Sequence, residues 1–171
     1  MLEAFRLSSF GAFHTLIALV AVACGIAALA RHGEIGTRTR PGLAYALLTV
    51  ATSVTGLFIF RHGGFGPPHM LAILTLAVLA IAYLAEKRGK PGGLSRYAAV
   101  LGYSLTLFFH LIPGLTETGT RLPLGNPAFS GPEDPTLVML VGIGFLAYLL
   151  GAAIQALRIR RSRLPGKLRP A

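Results

Sequence analysis

Residues 68–85 read Pro68-His69-Met70-Leu71-Ala72-Ile73-Leu74-Thr75-Leu76-Ala77-Val78-Leu79-Ala80-Ile81-Ala82-Tyr83-Leu84-Ala85, a run without a charge that opens at a proline pair and stops at Glu86. A helix needs about 20 mostly apolar residues to cross the hydrocarbon core of a bilayer, and this run comes close to that length. Four more uncharged stretches lie between Arg6 and Arg31, Arg40 and Arg61, Arg96 and Glu117, and Asp134 and Arg158. The sequence therefore predicts five transmembrane helices, near 8–30, 42–60, 68–85, 97–114 and 136–157. None alternates polar and apolar residues with a period of two, which excludes a barrel. The expected fold is an all-α integral membrane bundle over 1–157 with a basic tail at 158–171. A composition of 53% hydrophobic and 13% charged residues, with mean hydropathy +0.65, fits no ordinary soluble domain.

Charge sets the expected direction. Arg31, Arg38 and Arg40 fall in the first connection, and Lys87, Arg88, Lys90 and Arg96 in the third. The tail adds Arg158, Arg160, Arg161, Arg163, Lys167 and Arg169, whereas the opposite side holds Arg6, Arg61 and Arg121. Cytoplasmic loops of membrane proteins are enriched in Lys and Arg, so the N-terminus is expected outside and the C-terminus in the cytoplasm. The net charge of +10 is then a juxtamembrane feature suited to anionic lipid headgroups, not a nucleic-acid footprint. The first residues lack a positive n-region, so no cleavable signal is expected. Cys24 is the single cysteine, which rules out an intrachain disulfide.

On this topology His14, His69 and His110 come from three spans to one membrane face. Ionisable side chains within spans are costly and mark sites by default. At 1.5 Å of rise per residue, His14 is expected on the order of 10 Å and His110 about 6 Å below the outer helix ends. His69 falls in the first turn after Gly66-Pro67-Pro68, where the exposed N–H groups favour a neutral imidazole suited to be a ligand or acceptor. His62 is expected to be peripheral, and His32 lies on the cytoplasmic side. Small or polar residues at helical spacing point inward: Ala18, Ala21, Gly25 and Ala28 with His14, Thr49, Ser53 and Gly56, Ala99, Tyr103 and Thr106 with His110, and Gly144, Tyr148, Gly151 and Gln155. Nine of ten phenylalanines fall in the outer half, either as an interfacial belt or as walls of a pocket for a flat ring system. Pro113 and Gly114 are expected to end the fourth helix. That leaves Glu117 in a long loop, 114–135, from which it can reach back to the histidines.

Several stretches resemble a bacterial family of multi-pass inner-membrane proteins carried as a domain of unknown function. They are Phe13-His14-Thr15-Leu16-Ile17-Ala18-Leu19, Gly42-Leu43-Ala44-Tyr45, Gly56-Leu57-Phe58-Ile59-Phe60 and Glu117-Thr118-Gly119-Thr120-Arg121-Leu122-Pro123. The most specific is Gly64-Phe65-Gly66-Pro67-Pro68-His69-Met70-Leu71-Ala72-Ile73-Leu74-Thr75-Leu76. The resemblance implies a helical bacterial inner-membrane protein and no particular activity. Arg38 and Thr39 stand where the family often has a His-Arg pair, and Ser95 and Arg96 where it has a further histidine.

Three functional readings follow from the residues. In the first, His14, His69 and His110 ligate zinc or copper with Glu117 as a fourth ligand, or two of the three bind haem b axially, for electron transfer. In the second, the chain is a non-catalytic accessory or assembly subunit that docks a membrane-protein partner or another copy of itself. The third is a small transporter, although no acidic residue lies within the spans to relay protons. A hydrolytic nucleophile beside an acid–base partner is absent from the sequence, and Gly64-Phe65-Gly66 and Gly142-Ile143-Gly144 are not nucleotide fingerprints.

Overall fold

The computed structural model describes residues 8–60, 64–89 and 93–162, and His62 lies outside them. Among the described residues there are five helices and no strand: α1 (Ser9–His32), α2 (Arg40–Gly56), α3 (Pro67–Arg88), α4 (Leu94–Gly119) and α5 (Pro135–Ser162). Four of them, α1, α3, α4 and α5, are long and apolar enough to cross a membrane. The distribution of side chains is that of a membrane protein. Thr49, Thr52, Ser53, Thr75, Ser104, Thr106 and Gln155 are buried, while Leu16, Leu19, Leu47, Ile81, Leu146 and Leu150 stand exposed. In water such an arrangement would leave a large apolar surface uncovered; in lipid it is the stable one.

Local signals set the helix ends. The Ser8 hydroxyl accepts from the Gly11 N–H at the start of α1, and Gly33 closes that helix in the left-handed conformation with φ 73°. Thr39 caps α2 by accepting from the Gly42 N–H. A Cβ at Gly42 would strike the Gly36 carbonyl oxygen, so this turn requires glycine. Asp134 caps α5, taking hydrogen bonds from the Ser130 N–H and hydroxyl and from the Thr136 N–H. The Ser130 and Thr136 N–H groups hold its carboxyl below the usual carboxylate range.

The boundaries depart from the sequence expectation in three places. α2 stops at Gly56 and not near 60, which at 1.5 Å per residue makes it about 25 Å long, at the lower end of the roughly 17–25 residues of a spanning helix. α4 runs through Pro113 to Gly119, so Pro113 and Gly114 do not end it. Pro113 leaves the Phe109 carbonyl without its usual N–H donor, yet the helix continues, and beyond the proline Thr116 and Thr120 donate to the Ile112 and Thr116 carbonyls (2.9 and 2.7 Å). α5 continues to Ser162, so the first residues of the expected basic tail are helical.

Small residues bring the helices together. Ala21, Gly25 and Ala28 of α1 are buried, and Gly25 faces the Tyr45 ring of α2 and Leu107 of α4. Between α3 and α4, Gly102 lies against Ala82, while Gly144 of α5 meets Leu111 and Phe108 of α4. The buried core combines Ala21, Ala28, Ile35, Tyr45, Leu79, Ala82 and Tyr103. At one end of the bundle the α1–α2 connection bonds to α3, α4 and α5, through Thr37–Glu86, Glu34–Arg96 and Gly33–Gln155. The basic helix ends thus share one end, and His14, His69 and His110 belong to the rest of the bundle.

Candidate functional site

His14 and His110 both bond to threonines of α2. The Thr55 hydroxyl lies 2.8 Å from the Ala51 carbonyl and 3.0 Å from that of Thr52, so its proton is engaged there. Its oxygen therefore accepts from His14 Nδ1 (2.9 Å), which leaves the Nε2 lone pair of a neutral His14 free. His110 Nε2 pairs with the fully buried Thr49 hydroxyl at 3.1 Å. The Tyr45 ring stands edge-on to His110, with centroids 6.1 Å apart. Tyr45 in turn bonds Thr106 at 2.7 Å. The Thr106 hydroxyl donates to the Tyr103 carbonyl (2.8 Å), so the Tyr45 O–H is the donor to Thr106. A polar ladder thus joins α1, α2 and α4 through the apolar interior.

His69 has a different role. Its Nδ1 accepts from the Gly66 N–H (3.2 Å), the side chain at the third helical position reaching back to cap the start of α3. The acceptor role expected from its first-turn position is realised within its own helix. The proton of the neutral ring then sits on Nε2, which is buried and has no hydrogen-bond partner. Phe60 and Phe65 stack on the ring, with centroids at 4.9 and 5.1 Å. A metal or haem iron needs a nitrogen lone pair. In this tautomer Nδ1 spends its lone pair on Gly66 and Nε2 carries a proton, so the ring is a plug and a cap. Phe60 and Phe65 cover the faces of the His69 ring yet stay exposed themselves, as Phe10, Phe13 and Phe58 do.

Glu117 projects from α4, not from a loop, and forms an ion pair with Arg121 one turn on. It is within electrostatic range of His14, as His14 is of His110. Among the described residues, no three His, Cys, Asp or Glu side chains stand together as a set able to hold a metal ion. The four-residue set of His14, His69, His110 and Glu117 is accordingly not assembled as a metal centre.

A second polar cluster was not legible as one in the sequence, where Glu86 reads only as the end of an apolar run. Glu86 Oε2 accepts from the Thr37 N–H (3.1 Å), the Thr37 hydroxyl (2.9 Å) and the Tyr103 hydroxyl (2.8 Å). One carboxylate therefore ties the α1–α2 connection to α3 and α4. Beside it, Arg96 meets both oxygens of Glu34 at 2.6 Å. Buried Gln155 accepts from Ser104 (2.9 Å) and donates to the Gly33 carbonyl (3.1 Å). The signal available in sequence was an acidic residue standing alone beside Lys87 and Arg88.

Comparison with protein-family models, with curated proteins and with solved structures finds no match to this chain.

Proposed function

We propose that this chain is a non-catalytic accessory or assembly subunit of a bacterial inner-membrane complex, with five spans, its N-terminus outside and its C-terminus cytoplasmic. The observation that carries the reading is the state of the histidines. His14 and His110 make cross-helix hydrogen bonds to Thr55 and Thr49, and His69 caps its own helix. These are packing roles, of the kind that hold membrane helices together. α5 supports the docking part: it buries only Leu137, Gln155 and Ile159, and Gly151 faces open space. Four helices long and apolar enough to cross a bilayer support a membrane location, and the bacterial inner membrane follows from the sequence resemblance alone. Basic residues near one end of the bundle support the orientation.

Native-gel migration after extraction in a mild detergent tests the docking. A discrete species heavier than the 18.0 kDa chain in its micelle, lost in Gly151→Leu, is the expected result. A monomer under every extraction condition ends the proposal. The same sample tests the rival electron-transfer reading, which rests on the free His14 Nε2. A Soret band, or stoichiometric zinc or copper that disappears in His14→Ala, would replace the accessory role with a cofactor site.

Orientation has its own measurement. A reporter active only in the cytoplasm should work when fused after Ala171, and one active only outside should work in the 120–134 segment. The reverse pattern would put the histidines at the cytoplasmic leaflet and defeat the charge argument.

A further inference from the structure

The basic end of the bundle contains a cavity of ≈ 320 Å³ between the end of α1, the start of α4 and the end of α5. Its floor is Gln155, whose amide is already engaged by Ser104 and Gly33. Its walls carry His32, Glu34, Arg96, Arg158 and Ser162. Arg96 spends one nitrogen on Glu34, and its other N–H groups remain for a further acceptor. Arg158 has no carboxylate partner among the described residues. Its guanidinium occupies the space in which a side chain at residue 33 would lie. Gly33 thus serves twice, by taking a positive φ and by letting Arg158 lie across the end of α1.

We infer that this cavity binds a phosphate-bearing anion, with Arg158 as the principal charge and the free N–H groups of Arg96 as its partner. The charge balance selects the class. Glu34 neutralises Arg96, so among the described residues Arg158 is the one uncompensated formal charge on the wall, matched by a single negative charge. The Glu34 carboxylate on the same wall repels a second one. A phosphodiester monoanion fits better than a phosphate dianion, and the planar guanidinium can meet two of its oxygens at once. The cavity lies where the apolar runs of α1 and α5 give way to basic residues, which is headgroup level for a helix that crosses a bilayer. An anionic phospholipid headgroup and free inorganic phosphate share the chemistry. This inference goes beyond the accessory role and does not depend on it.

The test uses the full chain in dodecyl maltoside micelles. Native mass spectrometry follows retention of phosphatidylglycerol against phosphatidylcholine, and thermal shift follows added inorganic phosphate. The expected result is one phosphatidylglycerol retained in preference to phosphatidylcholine, with affinity reduced about 10-fold or more in Arg158→Gln. Arg161→Gln, on the same helix but outside the cavity, should bind as the parent does. Arg158→Lys keeps the charge without the fork and should fall between, which preserves the test if the glutamine variant folds poorly. Stabilisation by inorganic phosphate that disappears in Arg158→Gln would assign the site to free phosphate. Equal losses in Arg158→Gln and Arg161→Gln would reduce the effect to diffuse surface charge and overturn the inference. So would a chain indifferent to phosphatidylglycerol and phosphate alike.

Discussion

Glu86→Ala should lower the unfolding midpoint of the detergent-solubilised chain by roughly 5–10 °C, the size expected for a loss of about 2–4 kcal/mol in a chain of this length. The substitution removes one acceptor and strands three donors: the Thr37 N–H, the Thr37 hydroxyl and the Tyr103 hydroxyl. A buried hydrogen bond to a charged group contributes about 1.5–3 kcal/mol, and the half-buried position of Glu86, where water can replace part of each bond, brings the loss well below that of three such bonds. Glu86→Gln keeps an acceptor oxygen without the charge and should lose about half as much. Tyr103→Phe removes a single donor together with part of its demand on the carboxylate, and should cost less than either. Thermal unfolding followed by circular dichroism separates the three. An unchanged midpoint in Glu86→Ala would mean that the α1–α2 connection holds its place through Glu34–Arg96 and Gln155–Gly33 instead.

The helices that the sequence made legible are those whose length is set by solvation. α1 and α3 end at the charges that close their apolar runs and α5 starts just after Asp134, which composition alone reports, although α5 then continues past Arg158 to Ser162. α2 and α4 were read less well because their limits are set by contacts. Phe60 leaves the helical path of α2 to stack on His69, and α4 continues past Pro113 into the pairing of Glu117 with Arg121. The inward stripes follow from periodicity, which is why Ala21, Gly25, Tyr103, Thr106 and Gln155 could be placed correctly from spacing, whereas Gly151, expected on the stripe of Gln155, stands exposed. The histidine partners do not follow from it. Whether His14 meets Thr55, or another histidine, depends on the rotation and depth of α1 against α2, and one chain's sequence carries no record of either. His69 is the instructive case. Its position in the first turn was readable, and that position makes it an acceptor. What the sequence did not reveal is that the acceptor would be used by the preceding backbone N–H, which leaves no lone pair for a metal.

Gly25→Leu should yield no folded monomer. A Cβ at residue 25 would sit 2.9 Å from Tyr45 Cδ2, 3.0 Å from Leu107 Cδ1 and 3.1 Å from Tyr45 Cε2. Tyr45 cannot retreat at low cost, because it is fully buried and its hydroxyl is tied to Thr106. One extra methyl, in Gly25→Ala, already forces a tight contact and should cost about 1–3 kcal/mol. The further three carbons of leucine have no space and must drive α1 away from α2 and α4. That separation would also break the bond between His14 and Thr55 and open the ladder that runs to His110. Gly151→Leu is the matched control, since a Cβ there meets nothing within 4 Å. It should leave the thermal midpoint of the monomer unchanged and, on the accessory reading, abolish the heavier species on a native gel. Size-exclusion profiles in detergent decide between the two positions. If Gly25→Leu gives a monodisperse monomer with the parent's midpoint, α1 does not rest against Tyr45, and the packing that positions His14 is wrong.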